Sequence, residues 1–226
     1  MDYLSTQNKD QIVLIALDLG ISDVFSLCKT NKRLNAIICQ NDNFWINKLV
    51  RDYNLNVGYI PQNKTPKEYY LFVTQMITKY TDKKELLIES SKKGYLGLVK
   101  YSLEKGVNVN ARNDFALRLA SNNGHLEVVK FLVENGANVN AEDDYALRLA
   151  SGNGHLEVVK FLVENGANIH ARNDLALRWA SRNGHLEVVK FLVENGANVH
   201  AQNDSALRLA SKRGHLEVVN YLKSLT

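Results

Sequence analysis

Gly-His-Leu-Glu-Val-Val-Lys-Phe-Leu-Val-Glu-Asn-Gly-Ala-Asn-Val-Asn-Ala, residues 124–141, is the stretch that decides the fold. Its opening Gly-His-Leu-Glu-Val-Val returns at residues 154–159, 184–189 and 214–219. Ahead of each copy stands Ala-Leu-Arg-x-Ala-Ser, beginning at Ala116, Ala146, Ala176 and Ala206, so the period is thirty residues. A fixed period of this length means an array of supersecondary units. One unit cannot bury its own apolar face, and neighbours must stack to share a core.

Each unit reads as two short helices. Asp114 is a good N-cap for a first helix over residues 115–121, in which Ala116 and Ala120 form a small face for close packing. Asn122-Asn123-Gly124 then reads as a tight turn, because glycine tolerates the positive φ that helix ends need. A second helix is predicted over residues 126–134. Its apolar residues cover most of its circumference and leave Glu127, Lys130 and Glu134 as one polar strip, so neighbours must sandwich it. The strip's charge pairs add only about 0.2–0.5 kcal/mol each. Residues 135–138 stop this helix, and Val139-Asn140-Ala141 reads as an extended link.

Residues 124–141 resemble the second helix and following loop of an ankyrin repeat. The resemblance implies an all-α solenoid of about five units: residues 83–112 (worn), 113–142, 143–172, 173–202, and a truncated unit from 203. Two departures from the family stand out. Its usual period is 33 residues, and the shortfall here falls between Ala141 and Ala146, where the family's β-turn finger projects. Its Thr-Pro-Leu-His is rewritten as Phe115-Ala116-Leu117-Arg118. Asparagine-rich thirty-residue units behind a short helical segment look most like the ankyrin proteins of giant amoeba-infecting DNA viruses. The ends read as caps: Asn220, Lys223 and Ser224 add polarity to the last helix, and Tyr95 and Gly97 replace the first unit's histidine and glutamate.

The N-terminal segment, residues 1–60, carries short apolar stretches that predict three or four small helices. Ile21-Ser22-Asp23-Val24-Phe25-Ser26-Leu27, with Thr30-Asn31-Lys32-Arg33-Leu34-Asn35 and Trp45, resembles an F-box. That family docks a Skp-type adaptor, which links a bound substrate to a cullin ubiquitin ligase. The resemblance implies adaptor contacts at Leu14, Ile15, Val24 and Phe25. The family's opening Leu-Pro is absent, and its common cysteine is Asn31, so a helical cap with no adaptor stays open as the other reading. Residues 61–82 read as a connecting helix: Thr65-Pro66-Lys67-Glu68 combines a capping box with proline at the first helical position.

With 226 residues, 45% hydrophobic, the chain is long enough for an array plus one small domain. Its longest early apolar run stops at Asp18, which excludes a spanning helix there and argues against a signal peptide. Cys28 and Cys39, with no Cys-x-x-Cys, are expected to be reduced residues of a helical core, a cytoplasmic profile in which the Asn63 sequon is accidental. The formal charge of +4 is spread along the chain. Arg118, Arg148, Arg178 and Arg208 form a ladder, but each has an aspartate four residues earlier (Asp114, Asp144, Asp174, Asp204) for a local ion pair. No aromatics interleave them in sequence, so nucleic acid is not the expected partner.

His125, His155, His185 and His215 recur once per layer. Layers about 10 Å apart cannot share an ion whose bonds to nitrogen are about 2 Å, so no metal is expected. Each histidine is expected to hydrogen-bond across its own turn. No nucleophile with its base, no phosphate loop and no carboxylate pair is evident, so neither an enzyme nor a cofactor is expected.

The remaining expectation is a monomeric protein-binding module, without membrane contact. It either presents its partner to a Skp-cullin ligase or masks the partner as a plain scaffold. Positions that differ among near-identical units mark the partner face: Phe115, Tyr145, Leu175 and Ser205 at one end of the first helix, Asn122, Gly152, Arg182 and Lys212 at the other. In the ankyrin family this side lines the concave groove. Trp179, replacing a leucine, reads as an added anchor or as a filler of local packing.

Overall fold

The computed structural model describes residues 8–225, which contain helices and no strand. They divide into two compact units at the junction between Thr81 and Asp82.

In the first unit, α1 (Lys9–Asp18) starts at Asn8, which forms a capping box with Gln11. Next come α2 (Ile21–Thr30), α3 (Lys32–Leu34), a π-turn over Asn35–Cys39, and α4 (Asp42–Tyr53). Helix α5 (Pro66–Lys79) begins with the predicted Thr65–Glu68 capping box and packs on α4 within this unit. Trp45 is the hub. Its ring lies 5.1 Å from Phe44, 5.9 Å from Phe25 and 5.3 Å from Tyr70, and its Nε1 donates to the Cys39 carbonyl at 3.1 Å. Lys48 is buried with its charge matched: Nζ donates to the Leu17 carbonyl at 3.0 Å and pairs with Asp52 at 3.0 Å. Asp52 also accepts from Tyr70 at 2.6 Å, and burial together with this bond pushes the Tyr70 phenol above the usual range.

The expected reduced thiols are instead bonded. Cys28 on α2 and Cys39 at the end of the π-turn form a disulfide, their Cα atoms 6.2 Å apart. Spacing alone could not reveal this, because it depends on the π-turn packing back against α2. The bond removes the cysteine argument for a reducing compartment.

In the second unit, first helices α6 (Lys83–Lys93), α8 (Ala111–Asn122), α10 (Ala141–Gly152), α12 (Ala171–Asn183) and α14 (Ala201–Arg213) pack side by side. Second helices α7 (Leu96–Glu104), α9 (Leu126–Glu134), α11 (Leu156–Glu164), α13 (Leu186–Glu194) and α15 (Leu216–Lys223) form the other row. One continuous core runs between the rows, with Ala116, Leu117, Ala120, Val128, Val129 and Leu132 buried and their counterparts repeating it.

Three local predictions fail at the loops. Asn140 has φ −89° and ψ 4°, a turn and not an extended link. Behind it Glu142, Asp143 and Asp144 hold φ of 54°, 56° and 59°, a single left-handed turn within the start of α10 that recurs at the start of α8, α12 and α14. Left-handed backbone costs roughly 1–2 kcal/mol per ordinary residue and least for Asn and Asp. Asn or Asp fills two of the three positions in every copy.

The interactions that fix these turns join one loop to the next. Asp114 caps no helix of its own; its Oδ1 accepts the Asn138 N–H at 2.8 Å, as Asp144 accepts Asn168 at 2.7 Å and Asp174 accepts Asn198 at 2.9 Å. Asn110 donates to both Asp114 and the Gly136 carbonyl, and Asn140 does the same one layer on. The histidines likewise reach between layers and not across their own turns. Nε2–H of His125, His155, His185 and His215 donates to the carbonyl of Lys92, Asn122, Gly152 and Arg182, each at 3.0 Å.

Candidate partner-binding face

Four positions of α8, three or four residues apart, stay clear of the core: Phe115, Arg118, Leu119 and Asn122 are all half-buried. Their counterparts line up across the row of first helices, with Arg148, Gly152 and Ser205 buried, so each layer brings a constant arginine between two variable positions to this face.

The arginine ladder does not pair with its aspartates. Arg118 Nη2 donates to the Arg112 carbonyl at 2.9 Å. Arg148 donates to the carbonyls of Asp143 (2.9 Å) and Glu142 (2.6 Å), and Arg208 to that of Gln202 (3.1 Å). The left-handed turn points its carbonyls at the arginine and keeps the aspartate on the neighbouring loop, so spacing of four along a helix does not apply. Aromatic rings do interleave the arginines in space. The Arg118 guanidinium lies 5.0 Å from the Phe115 ring and 5.6 Å from that of Tyr145; Arg148 lies 4.7 Å from Tyr145 and 6.0 Å from Trp179. Arg148 is only 6% exposed, and burial together with nearby Arg172 pushes it below the usual guanidinium range.

Trp179 resolves as packing. A Cβ built on Gly152 would meet its ring at 3.3 Å, and its edge faces Tyr145 at 6.4 Å. The small residue of one layer therefore receives the large residue of the next. A lone glycine inside a helix, one unit before a lone tryptophan, was the signal for this pair. Leu175 is half-buried and Ser205 is buried, so Ser205 offers little to a partner.

At the other end of the strip, Arg182 and Lys212 share a surface cavity of about 260 Å³ with Leu209 and Arg213. Arg182 and Lys212 stand out in the sequence as varying positions, whereas Leu209 repeats the leucine of two sister units and Arg213 stands where all three carry asparagine. On the second helices the charged strip is satisfied internally, Lys130 with Glu127 at 3.1 Å, Lys160 with Glu157 at 2.8 Å and Lys190 with Glu187 at 2.9 Å.

In the first unit Leu14 is 62% exposed and lines a cavity of about 390 Å³ with Val13 and Phe44. Ile15 and Phe25 are half-buried, Phe25 against Trp45. Val24 is fully buried and belongs to the core, not to an adaptor surface.

Among the described residues no group of acidic, histidine or cysteine side chains could hold a metal ion, and no helix is long and apolar enough to cross a membrane. Stacked helix pairs with a variable strip on one row define a helical-repeat interaction protein. The sequence profile described as ankyrin repeats (3 copies) matches residues 86–173 and again 147–225, more than half of the chain. The chain belongs to the ankyrin-repeat family, and its array is a protein–protein interaction module. Comparison with curated proteins returned no match.

Proposed function

We propose that the array holds a protein partner on the row of first helices while residues 1–60 dock a Skp-type adaptor, so that the chain presents its partner to a cullin ubiquitin ligase. The mechanism is proximity, with no bond chemistry by this chain, which acts as a cytoplasmic monomer. If the viral resemblance holds, the partner is a host protein. The observation that carries the adaptor half is Leu14, a large apolar side chain exposed beside a cavity on a small helical unit. Ile15 and Phe25 flank this reading, and residues 61–82 join the two functions.

The same chain as a plain scaffold, masking its partner without ubiquitination, is favoured by the Cys28–Cys39 bond, since disulfides persist where thiols are not kept reduced. Titration of the full chain with a purified Skp-type adaptor, followed by calorimetry, separates the two. Micromolar binding that disappears in Leu14→Asp with unchanged helical circular dichroism is the expected result. No binding by the unsubstituted chain ends the ligase reading and leaves the scaffold.

A further inference from the structure

Many cations of the array have partners. Arg112 pairs with Glu85 at 2.6 Å and Arg172 with Asp143 at 2.7 Å. Lys130, Lys160 and Lys190 hold glutamates, and Arg118, Arg148 and Arg208 hold carbonyls. Arg182, Lys212 and Arg213 line one cavity, and none forms an ion pair with a carboxylate among the described residues. Like charges gathered without a counterion are unfavourable for the fold. Nothing in the packing requires them, since the same edge carries Asn122 and Gly152 in the two preceding layers.

We propose that this cavity seats an acidic segment of a protein partner, its carboxylates on Arg182, Lys212 and Arg213 and an adjoining apolar side chain on Leu209. The proposal rests on the first-helix face being the docking surface, and it adds where on that face the partner is anchored and by what chemistry. Arg182 and Arg213 can each engage a carboxylate through two N–H groups, while Lys212 acts as a point charge. Leu209, half-buried between them, supplies apolar contact that a free anion would not use. A nucleic acid fits less well. It needs a basic track along successive layers with free rings for stacking. Here the positive edge is interrupted by Gly152 and Asn122 between Arg182 and Lys92, and Trp179 is packed over Gly152.

Fluorescence anisotropy of the full chain tests this with three labelled probes: a peptide with a Glu-Glu-Leu centre, the same peptide with Gln-Gln-Leu, and oligodeoxythymidine. The acidic peptide is expected to bind at least about tenfold more tightly than its glutamine twin. Arg182→Glu with Lys212→Glu and Arg213→Glu should abolish that preference. Lys130→Glu with Lys160→Glu and Lys190→Glu makes the same change in net charge on the other row, and should leave it within about twofold. Equal loss from both triple variants would reduce the effect to long-range charge and overturn the proposal. So would tighter binding of the oligonucleotide. Loss with Tyr145→Ala and Leu175→Ala but not with the cavity triple would sink the cavity and keep the face. Indifference to every variant would remove both.

Discussion

Gly124 is dictated from two directions. Its φ of 73° excludes most side chains, and a Cβ there would stand 2.5 Å from the His155 ring of the next layer. The sequence reading found the first reason, which is local, and missed the second, which comes from thirty-one residues away. The same blindness covers the serine that follows each Ala-Leu-Arg-x-Ala. Ser121, Ser151 and Ser181 look like ordinary polar helix residues, yet each is fully buried and its hydroxyl has no hydrogen-bond partner among the described residues. An unsatisfied buried hydroxyl costs about 1–3 kcal/mol, and alanine removes it with almost no change in volume. Ser151→Ala should therefore raise stability by about 1 kcal/mol, read as a higher urea midpoint by far-ultraviolet circular dichroism. A lowered midpoint would mean that the hydroxyl is bonded after all.

Among the elements, the second helix was legible to the residue. Leu126–Glu134 is where the apolar run predicts it, because both its amphipathic pattern and its Asn135-Gly136 stop are local signals. The left-handed turns were not legible, since what holds Asp114 there is an amide twenty-four residues later. Nor was the π-turn, whose closing bond to α2 joins Cys39 to Cys28. That bond closes an eleven-residue separation, and the loop-entropy argument gives about 3 kcal/mol for it. Reduction should destabilise the first unit by about that amount. Trp45 emission reports on this unit once Trp179→Leu has removed the other tryptophan. Dithiothreitol should lower the Trp45 midpoint while leaving the circular dichroism transition of the array in place. Identical Trp45 curves with and without reductant would show that the thiols are free in solution.

For the molecule as a whole, the array behaves as a one-dimensional stack in which each layer answers only to its neighbours. Removing residues 143–172 joins Glu142 to Asn173, and nearly every interlock can re-form: His185 finds the Asn122 carbonyl in place of that of Gly152, and Asp174 keeps its Asn198 amide. Trp179 is the exception. It leaves Gly152 and meets Asn122, at a place where even a bare Cβ is tight against its ring. The shortened chain should therefore remain soluble and helical but lose more stability than one missing layer explains, because overpacking costs about 1–3 kcal/mol. Trp179→Leu restores the sister pattern of leucine over asparagine and should raise the urea midpoint of the shortened chain. In the full chain the same substitution leaves a void over Gly152 and should lower it, by about 1–3 kcal/mol. The sign of one mutation is thus set by which layer lies beneath it. An effect of the same sign in both backgrounds would show that Trp179 does not read its neighbour.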